Sequence, residues 1–293
     1  MRLHPARARR RTGWRLRCRA APILKRFPAP APGPLACAAK PLFFTILGLG
    51  LAAANAADRY DGTAYDPAGR IVYRETHWRY TDGGSEQRLV LYRCADGSPF
   101  ARKQMRWRAG NEASPDFEFL DQRDGYREGV IGHSGQRLVY WQANRSAAEK
   151  HEQVLLGPDA VVDAGFDGFV RRGWSDLVAG KPLRTVFVVP GDFDAVPVVI
   201  RLARTQPADA SAVMFSIELD RWYAFAVPTM QVTYGRSDRW LREFSGTVTI
   251  RDQRGRRQVV RVEFPEHARS SGAPAEDIAT AATAPLVERC KEP

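Results

Sequence analysis

Glu75 and His77 stand two positions apart in the run RETHW, and their side chains are of types that could do chemistry together. Alternate residues of a β-strand point to the same face, so this spacing would place the carboxylate beside the imidazole. Inside an apolar cavity, the pair would orient the polar end of a ligand or act as acid and base. On an outer face it would be a solvated pair, and the spacing leaves both alternatives open.

Other motifs with catalytic or metal-binding spacing are absent from the sequence. The stretch GHSGQ ends in Gln136, where a nucleophile elbow requires glycine, so it is typical of a hairpin turn. The stretch HEQVL has Leu155 where a zinc-binding helix requires its second histidine. The sequence therefore predicts no catalytic triad, no metal site and no cofactor.

The elements that would position Glu75 and His77 are predicted to be β-strands. Short apolar or aromatic runs alternate with turn clusters such as TDGG, ADGS and RDG over residues 59–160, and the strand pattern returns after residue 182. This pattern predicts a mainly β fold of about eleven strands. We expect a single strongly curved antiparallel sheet or half-barrel, because a long meander curls to protect its edges.

One helix interrupts the strands, over about residues 162–179. Apolar residues recur there at spacings of three and four from Phe166 to Val178, which is the period of one helix face. Three glycines within this stretch would weaken an isolated helix. We therefore expect the helix to dock on an apolar surface, as a plug or lid of the half-barrel.

An apolar run from Leu42 to Ala54 is typical of a secretory signal peptide. Lys40 precedes the run, and Ala54-Asn55-Ala56 fits the small-x-small cleavage pattern. The run is too short to span a membrane, which takes about 20 residues. The sequence therefore predicts export to the periplasm, with cleavage near Ala56 and no transmembrane span in the mature form.

The excess of positive over negative charge is confined to the segment before that cleavage site. Residues 1–56 carry eleven of the 44 Lys and Arg and none of the 33 Asp and Glu, which leaves 33 of each sign in the remainder. The net charge of +11 therefore gives no support to nucleic-acid binding by the mature chain. Residues 1–40 are predicted to be a disordered basic extension or the product of a mis-assigned start.

The predicted mature chain consists of one β domain, residues 57–268, followed by a flexible tail, residues 269–293. It retains two cysteines, Cys94 and Cys290. In an oxidising compartment the two could form a disulfide that ties the tail to the domain, or they could remain free thiols.

Two phrases of the sequence resemble parts of a group of bacterial exported proteins. They are GFDGFVRRGWSDLVAGKPLRTVFVVP, at the helix-to-strand junction, and RWLREFSGTVTIRDQRGRRQVVRVEFPE, as the closing hairpin. The layout from Tyr60 to Pro265 also resembles that of the periplasmic lipoprotein-localisation carriers, the LolA/LolB-like half-barrel superfamily. This resemblance implies that an acyl chain or another apolar ligand binds inside the half-barrel, under a helical lid.

Our leading hypothesis is an exported cell-envelope protein that binds a lipid or another hydrophobic or amphipathic molecule without acting on it. The alternatives are a structural or assembly protein acting through a sheet edge, and a hydrolase using Glu75 and His77. A cavity for such a ligand would have aromatic and apolar walls. The candidate lining residues are Tyr73, Trp78, Leu91, Trp107, Tyr140, Phe166, Phe169 and Trp174.

Overall fold

The computed structural model describes residues 57–132, 135–222 and 229–291. The predicted basic extension, the predicted signal-peptide run and its predicted cleavage site lie outside the described residues. The strands are β1 (Ala57–Tyr65), β2 (Ile71–Asp82), β3 (Ser85–Arg93), β4 (Pro99–Trp107), β5 (Asp116–Asp121), β6 (Tyr126–Ile131), β7 (Gln136–Gln142), β8 (Lys150–Leu155), β9 (Val161–Val162), β10 (Leu183–Val189), β11 (Asp194–Leu202), β12 (Ala212–Leu219), β13 (Met230–Gly235), β14 (Leu241–Arg251), β15 (Arg257–Glu263) and β16 (Arg269–Ala273). The helices are α1 (Phe166–Arg172), α2 (Trp174–Val178) and α3 (Ala275–Thr283).

All sixteen strands belong to one open sheet that is not closed into a barrel. Strands β1 to β8 form an antiparallel meander, which we call the first meander, and β10 to β15 form the second meander. The two meet where β1 pairs with β15, and β16 pairs further along the same edge of β1. Strand β9 pairs in parallel with β10 and is the last strand in the order, so β8 and β9 are the two ends of the sheet.

The prediction of about eleven strands was wrong, because four strands have no clear apolar run. Strands β1 and β16 are short of the β-branched and aromatic residues that mark a strand, with sequences ADRYDGTAY and RSSGA. Strand β8, KHEQVL, is mostly polar because it is exposed along nearly its whole length. Strand β9 has only two residues.

The flanks of the sheet approach each other although many strands separate them in the strand order. The Thr249 hydroxyl on β14 donates a hydrogen bond to Glu128 on β6 at 3.2 Å. Arg251 Nη2 donates to the carbonyl oxygen of Ala143, which follows β7, at 2.6 Å. Contacts between strands so far apart in the order require the sheet to bend. We call the face that turns toward this meeting point the inner face.

The predicted single helix is two short helices, α1 and α2, which meet at Gly173. A 3-10 turn, Asp163–Gly165, precedes them, and we call residues 163–178 the helical segment. Val170 and Leu177 are fully buried and pack with Phe215 and Val232 against β11 to β13. Apolar burial on the second meander therefore stabilises helices that are too short to form alone. No helix in the described ranges is long and apolar enough to cross a membrane.

The C-terminal residues form secondary structure that the sequence pattern did not predict. Helix α3 covers the outer face of β2 and β3, where Trp78, Leu89 and Leu91 pack with Ala281. The guanidinium of Arg102 donates to the carbonyl oxygens of Ala281 and Ala284 at 3.1 and 2.5 Å. The segment predicted to be a flexible tail thus covers apolar surface that would otherwise face water.

A disulfide between Cys94 and Cys290 joins the C-terminal segment to the first meander. The two residues are separated by 196 positions, and Cys94 is completely buried in the larger core. The bond therefore holds α3 against β3 and closes a loop that contains most of the described chain.

The glycines of the helical segment are explained by close packing rather than by turns. A Cβ on Gly165 would lie 2.1 Å from the carbonyl oxygen of Ala113, and one on Gly168 would lie 2.5 Å from Cγ of Glu112. Gly165 has an ordinary helical backbone conformation, φ −62° and ψ −13°. The absence of a side chain therefore lets the loop between β4 and β5 lie directly against the helical segment.

A Gly165→Ala substitution should destabilise the protein, although alanine normally favours helices over glycine. We expect the free energy of unfolding to fall by about 1–3 kcal/mol, because the added methyl overlaps a backbone oxygen. Urea unfolding of the variant would measure the loss. The matched control is Gly157→Ala, where an added Cβ meets no atom within 4 Å. Equal stabilities for the two variants would contradict this account of the packing.

Candidate functional site

A cavity of about 610 Å³ lies on the inner face of the sheet, between the two meanders and residues 163–171. Its two sides differ in chemistry. The first meander and the helical segment supply most of the polar side chains, which we call the polar wall; they include Tyr73, Glu75, His77, Arg88, Lys103 and Asp167. The second meander supplies mostly apolar side chains, which we call the apolar wall; they include Phe187, Val196, Val198, Ile217, Leu241 and Phe244.

Tyr73, Glu75 and His77 are alternate residues of β2 and share one face of the strand. All three line the cavity, so this face is the inner one. Nε2 of His77 lies 3.0 Å from Oε1 of Glu75. The imidazole also stacks on the Tyr60 ring, with 4.4 Å between ring centroids. The outward, solvated alternative for this pair is therefore excluded, since Glu75 is 7% and His77 8% exposed.

Burial lowers the pKa of His77 below its ordinary value, because a buried imidazolium loses its hydration, and Glu75 opposes this shift only in part. The ring is therefore neutral near pH 7. A carboxylate at Glu75 can only accept, so Nε2 carries the proton and donates it to Glu75. Nδ1 has no partner among the described residues and is sealed from solvent.

Asp167 on α1 lies between two arginines. Its carboxylate accepts from Arg171 Nε at 3.1 Å and from Arg88 Nη2 at 3.4 Å. The first contact is within α1, and the second joins the helical segment to β3. Arg88 and Asp167 are almost completely buried, so each charge depends on the other for the stabilisation that water would otherwise provide.

Lys103 and Asp163 form a second ion pair between a strand and the helical segment. The ammonium group lies 2.7 Å from both carboxylate oxygens of Asp163. Asp163 has a left-handed backbone conformation, φ 47°, which is unfavourable for a residue other than glycine. The buried ion pair offsets this cost and fixes the entry of the helical segment beside β4.

Glu128 joins the two flanks of the sheet at the other end of the polar wall. It accepts a hydrogen bond from the Tyr126 hydroxyl at 2.5 Å as well as the bond from Thr249. Burial raises the pKa of Glu128 above its ordinary value, because the ionised carboxylate is poorly hydrated there. Both oxygens of this carboxylate are therefore already engaged by the protein.

Three tyrosines present hydroxyls to the cavity. Tyr60, Tyr73 and Tyr92 line it, and their hydroxyls have no hydrogen-bond partner among the described residues. Unlike His77 Nδ1, none of the three oxygens is sealed from solvent. Burial raises the pKa of each phenol, since a buried phenolate would be poorly hydrated. Three neutral hydroxyl groups thus remain available to a bound molecule.

Of the eight predicted lining residues, Tyr73 and Phe166 line the cavity. Trp78 and Leu91 lie on the outer face, under α3. The prediction was wrong for these two because β2 and β3 are buried on both faces, and aromatic content does not show which face is the inner one. Phe169 and Trp174 pack on the second meander instead, with Trp174 5.5 Å from the Phe215 ring.

The other two predicted lining residues also lie outside the cavity lining. Trp107 is buried in the larger core, where the guanidinium groups of Arg79 and Arg88 lie over its ring at 5.6 and 5.8 Å. Tyr140 on β7 covers Gly129 of the neighbouring strand.

The sequence reasoning missed Arg88, Lys103 and Asp167 of the polar wall, because charged residues usually face water. A signal was present in β4, however. Lys103 is in phase with Ala101, Met105 and Trp107, which are all buried, whereas Gln104 is on the opposite, exposed face. A basic residue in phase with apolar neighbours predicts a buried charge and therefore a buried acidic partner.

No protein-family model matches this chain, and no curated protein matches it either.

The neutral state of His77 can be tested by titrating its imidazole with NMR, using His77→Gln to assign the signal. We expect a pKa below the ordinary value of about 6.5. Glu75→Gln should lower the pKa of His77 further, because the carboxylate favours the imidazolium.

A lowered pKa also predicts a pH dependence of stability. His77 of the unfolded chain takes up its proton at a higher pH than His77 of the folded chain, so the free energy of unfolding should fall as the pH drops below about 6.5. A raised pKa, or a rise on Glu75→Gln, would contradict this assignment.

Proposed function

We propose that this protein is an exported cell-envelope protein that binds an amphipathic molecule, with a lipid or acyl chain, inside a half-barrel and without chemical change to it. The observation that carries the proposal is the division of one cavity into an apolar wall and a polar wall. An apolar chain gains about 25 cal/mol for each Å² buried against such a wall. The cavity volume lies within the range of small-molecule sites.

The helical segment acts as the lid of this half-barrel in our proposal. Phe166 contributes to the cavity lining. The helices pack against one side of β11 to β13, and Val198 and Ile217 on that side also line the cavity. A ligand chain would then lie between the lid and the apolar wall. The resemblance to the lipoprotein-localisation carriers supports the same arrangement, and the periplasm is the proposed location.

A substitution that fills the apolar wall should prevent ligand binding. Native mass spectrometry of the wild-type protein, purified from envelopes, should show a co-purifying amphiphile. Val248→Trp should lose that mass, because Val248 lines the cavity and the indole would occupy the volume of the chain. The matched control is Val259→Trp, on the neighbouring strand, because Val259 is exposed and should tolerate the indole.

Two results would contradict the proposal. One is a wild-type protein that is consistently empty and takes up no amphiphile in solution. The other is retention of the bound mass by Val248→Trp, which would show that the cavity is not the site.

A hydrolase is the second candidate, because Glu75 and His77 are hydrogen-bonded at the cavity. In that mechanism Nδ1 would accept a proton from water while the water oxygen attacks an ester carbonyl carbon, and Glu75 would stabilise the imidazolium. The ester C–O bond would then break, and the leaving alkoxide oxygen would take the proton from Nδ1 to depart as an alcohol. Binding without chemistry is favoured, because Nδ1 is sealed from water in this structure.

An ester-linked amphiphile should therefore be recovered intact after incubation with the protein. Chromatography of the recovered lipid measures cleavage. Cleavage by the wild-type protein that His77→Gln abolishes would favour the hydrolase instead. Cleavage that persists in that variant would point to a contaminant.

A further inference from the structure

The charges that line the cavity cancel. The basic side chains of its lining are Arg79, Arg88, Lys103, Arg171 and Arg257, and the acidic ones are Glu75, Glu128, Asp163, Asp167 and Glu218. With His77 neutral, the five positive and five negative charges sum to zero. A cavity with many ionisable groups therefore presents no net charge to a ligand.

The buried cations of the polar wall, Arg88 and Lys103, are also engaged with carboxylates of the helical segment. Asp167 accepts from Arg88 and Arg171, and Asp163 accepts from Lys103 through both oxygens. A charged ligand group would have to displace a partner from one of these contacts. An anionic group would otherwise lose its hydration and gain no unpaired buried cation in return, and a cationic group would meet Glu75 and Glu128 already hydrogen-bonded within the protein.

The groups that remain free to bind are neutral. The hydroxyls of Tyr60, Tyr73 and Tyr92 line the cavity, lack a partner within the described residues and are accessible from the cavity. Each can donate one hydrogen bond and accept others. Left without water or ligand, each would cost the protein the free energy of an unsatisfied buried polar group.

We infer that the polar end of the bound molecule is uncharged and hydrogen-bonding, such as the hydroxyl and ester groups of an acylated glycerol, and that Tyr60, Tyr73 and Tyr92 recognise it. This inference rests on the proposed function. It specifies a ligand class opposite to the one that the number of arginines and lysines in the cavity would suggest. The ion pairs shape the polar wall, and the tyrosine hydroxyls bind.

The test compares three amphiphiles that share one saturated chain and differ only in the polar end. They are a monoacylglycerol, an alkyl sulfate and an alkyl trimethylammonium, each used below its micelle concentration. Displacement of an environment-sensitive apolar fluorophore from the delipidated protein gives each dissociation constant. We expect the monoacylglycerol to bind at least about tenfold more tightly than either charged probe, because only it avoids burying an unpaired charge.

Removal of two hydroxyls should weaken the neutral ligand selectively. The variant Tyr73→Phe/Tyr92→Phe should bind the monoacylglycerol roughly tenfold less tightly, while its affinity for the apolar fluorophore is unchanged. The matched control is Tyr80→Phe, since Tyr80 bonds Gln87 at 3.4 Å and packs with the α3 cluster on the outer face. That control should bind all probes as the wild-type protein does.

A change in the cavity charge should change the preference. Asp167→Asn leaves Arg88 and Arg171 without their shared anion, so the affinity for the alkyl sulfate should rise by roughly tenfold. The affinity for the alkyl trimethylammonium should not rise. If this variant fails to fold, the tyrosine variant and the three-probe comparison still decide the question.

The outcomes separate the inference from the function on which it rests. If the alkyl sulfate or the ammonium binds the wild-type protein as tightly as the monoacylglycerol, the uncharged-ligand inference is overturned and the binding function stands. The same holds if the tyrosine variant binds all three probes normally. If no amphiphile binds, the proposed function is itself overturned.

Discussion

The pairing of buried charges between the helical segment and the strands is the constraint on which the site depends. Arg88 and Lys103 lie on the inner face, where a lone charge would be unstable, and the helical segment supplies Asp167 and Asp163 to them. The same contacts set the position of that segment over the cavity. Charge pairing therefore determines the geometry of the helical segment, the neutrality of the polar wall and the set of polar groups left without a partner. Replacement of one partner would disturb all three.

The sequence predicted the mainly β fold because alternation and turn residues are local signals. It also indicated where the strands are interrupted, since the apolar period changes between residues 162 and 179. It placed Glu75 and His77 on one face but could not say which, because the burial of a face depends on strands distant in sequence. Trp78 shows the limit: it is as buried as Tyr73 but on the opposite face, where α3 covers it.

The cluster of Trp78, Leu89, Leu91 and Ala281 on the outer face is completed by a part of the chain with little apolar pattern. Helix α3 is rich in alanine, which packs closely against aromatic and aliphatic side chains such as Trp78 and Leu89 without a strong periodic signal. The Cys94–Cys290 bond and the hydrogen bonds of Arg102 hold this segment where its own apolar surface is small. Strands β2 and β3, next to β1 in the first meander, are thus buried on both faces. The strand that carries Glu75 and His77 on its inner face is therefore packed on its outer face as well.

The position of β1 in the strand order has a consequence for how the chain folds. Most pairings join neighbours in sequence, so each meander can form as it is synthesised. Strand β1 can pair with β2 as soon as β2 is synthesised, but its second edge has no partner until β15 is synthesised, about two hundred residues later in the chain. During that interval an unpaired edge is exposed beside a growing sheet, which is the arrangement most prone to intermolecular pairing. The earliest described strand therefore has to wait for one of the latest to pair its second edge, and slow synthesis would prolong the period in which that edge is exposed.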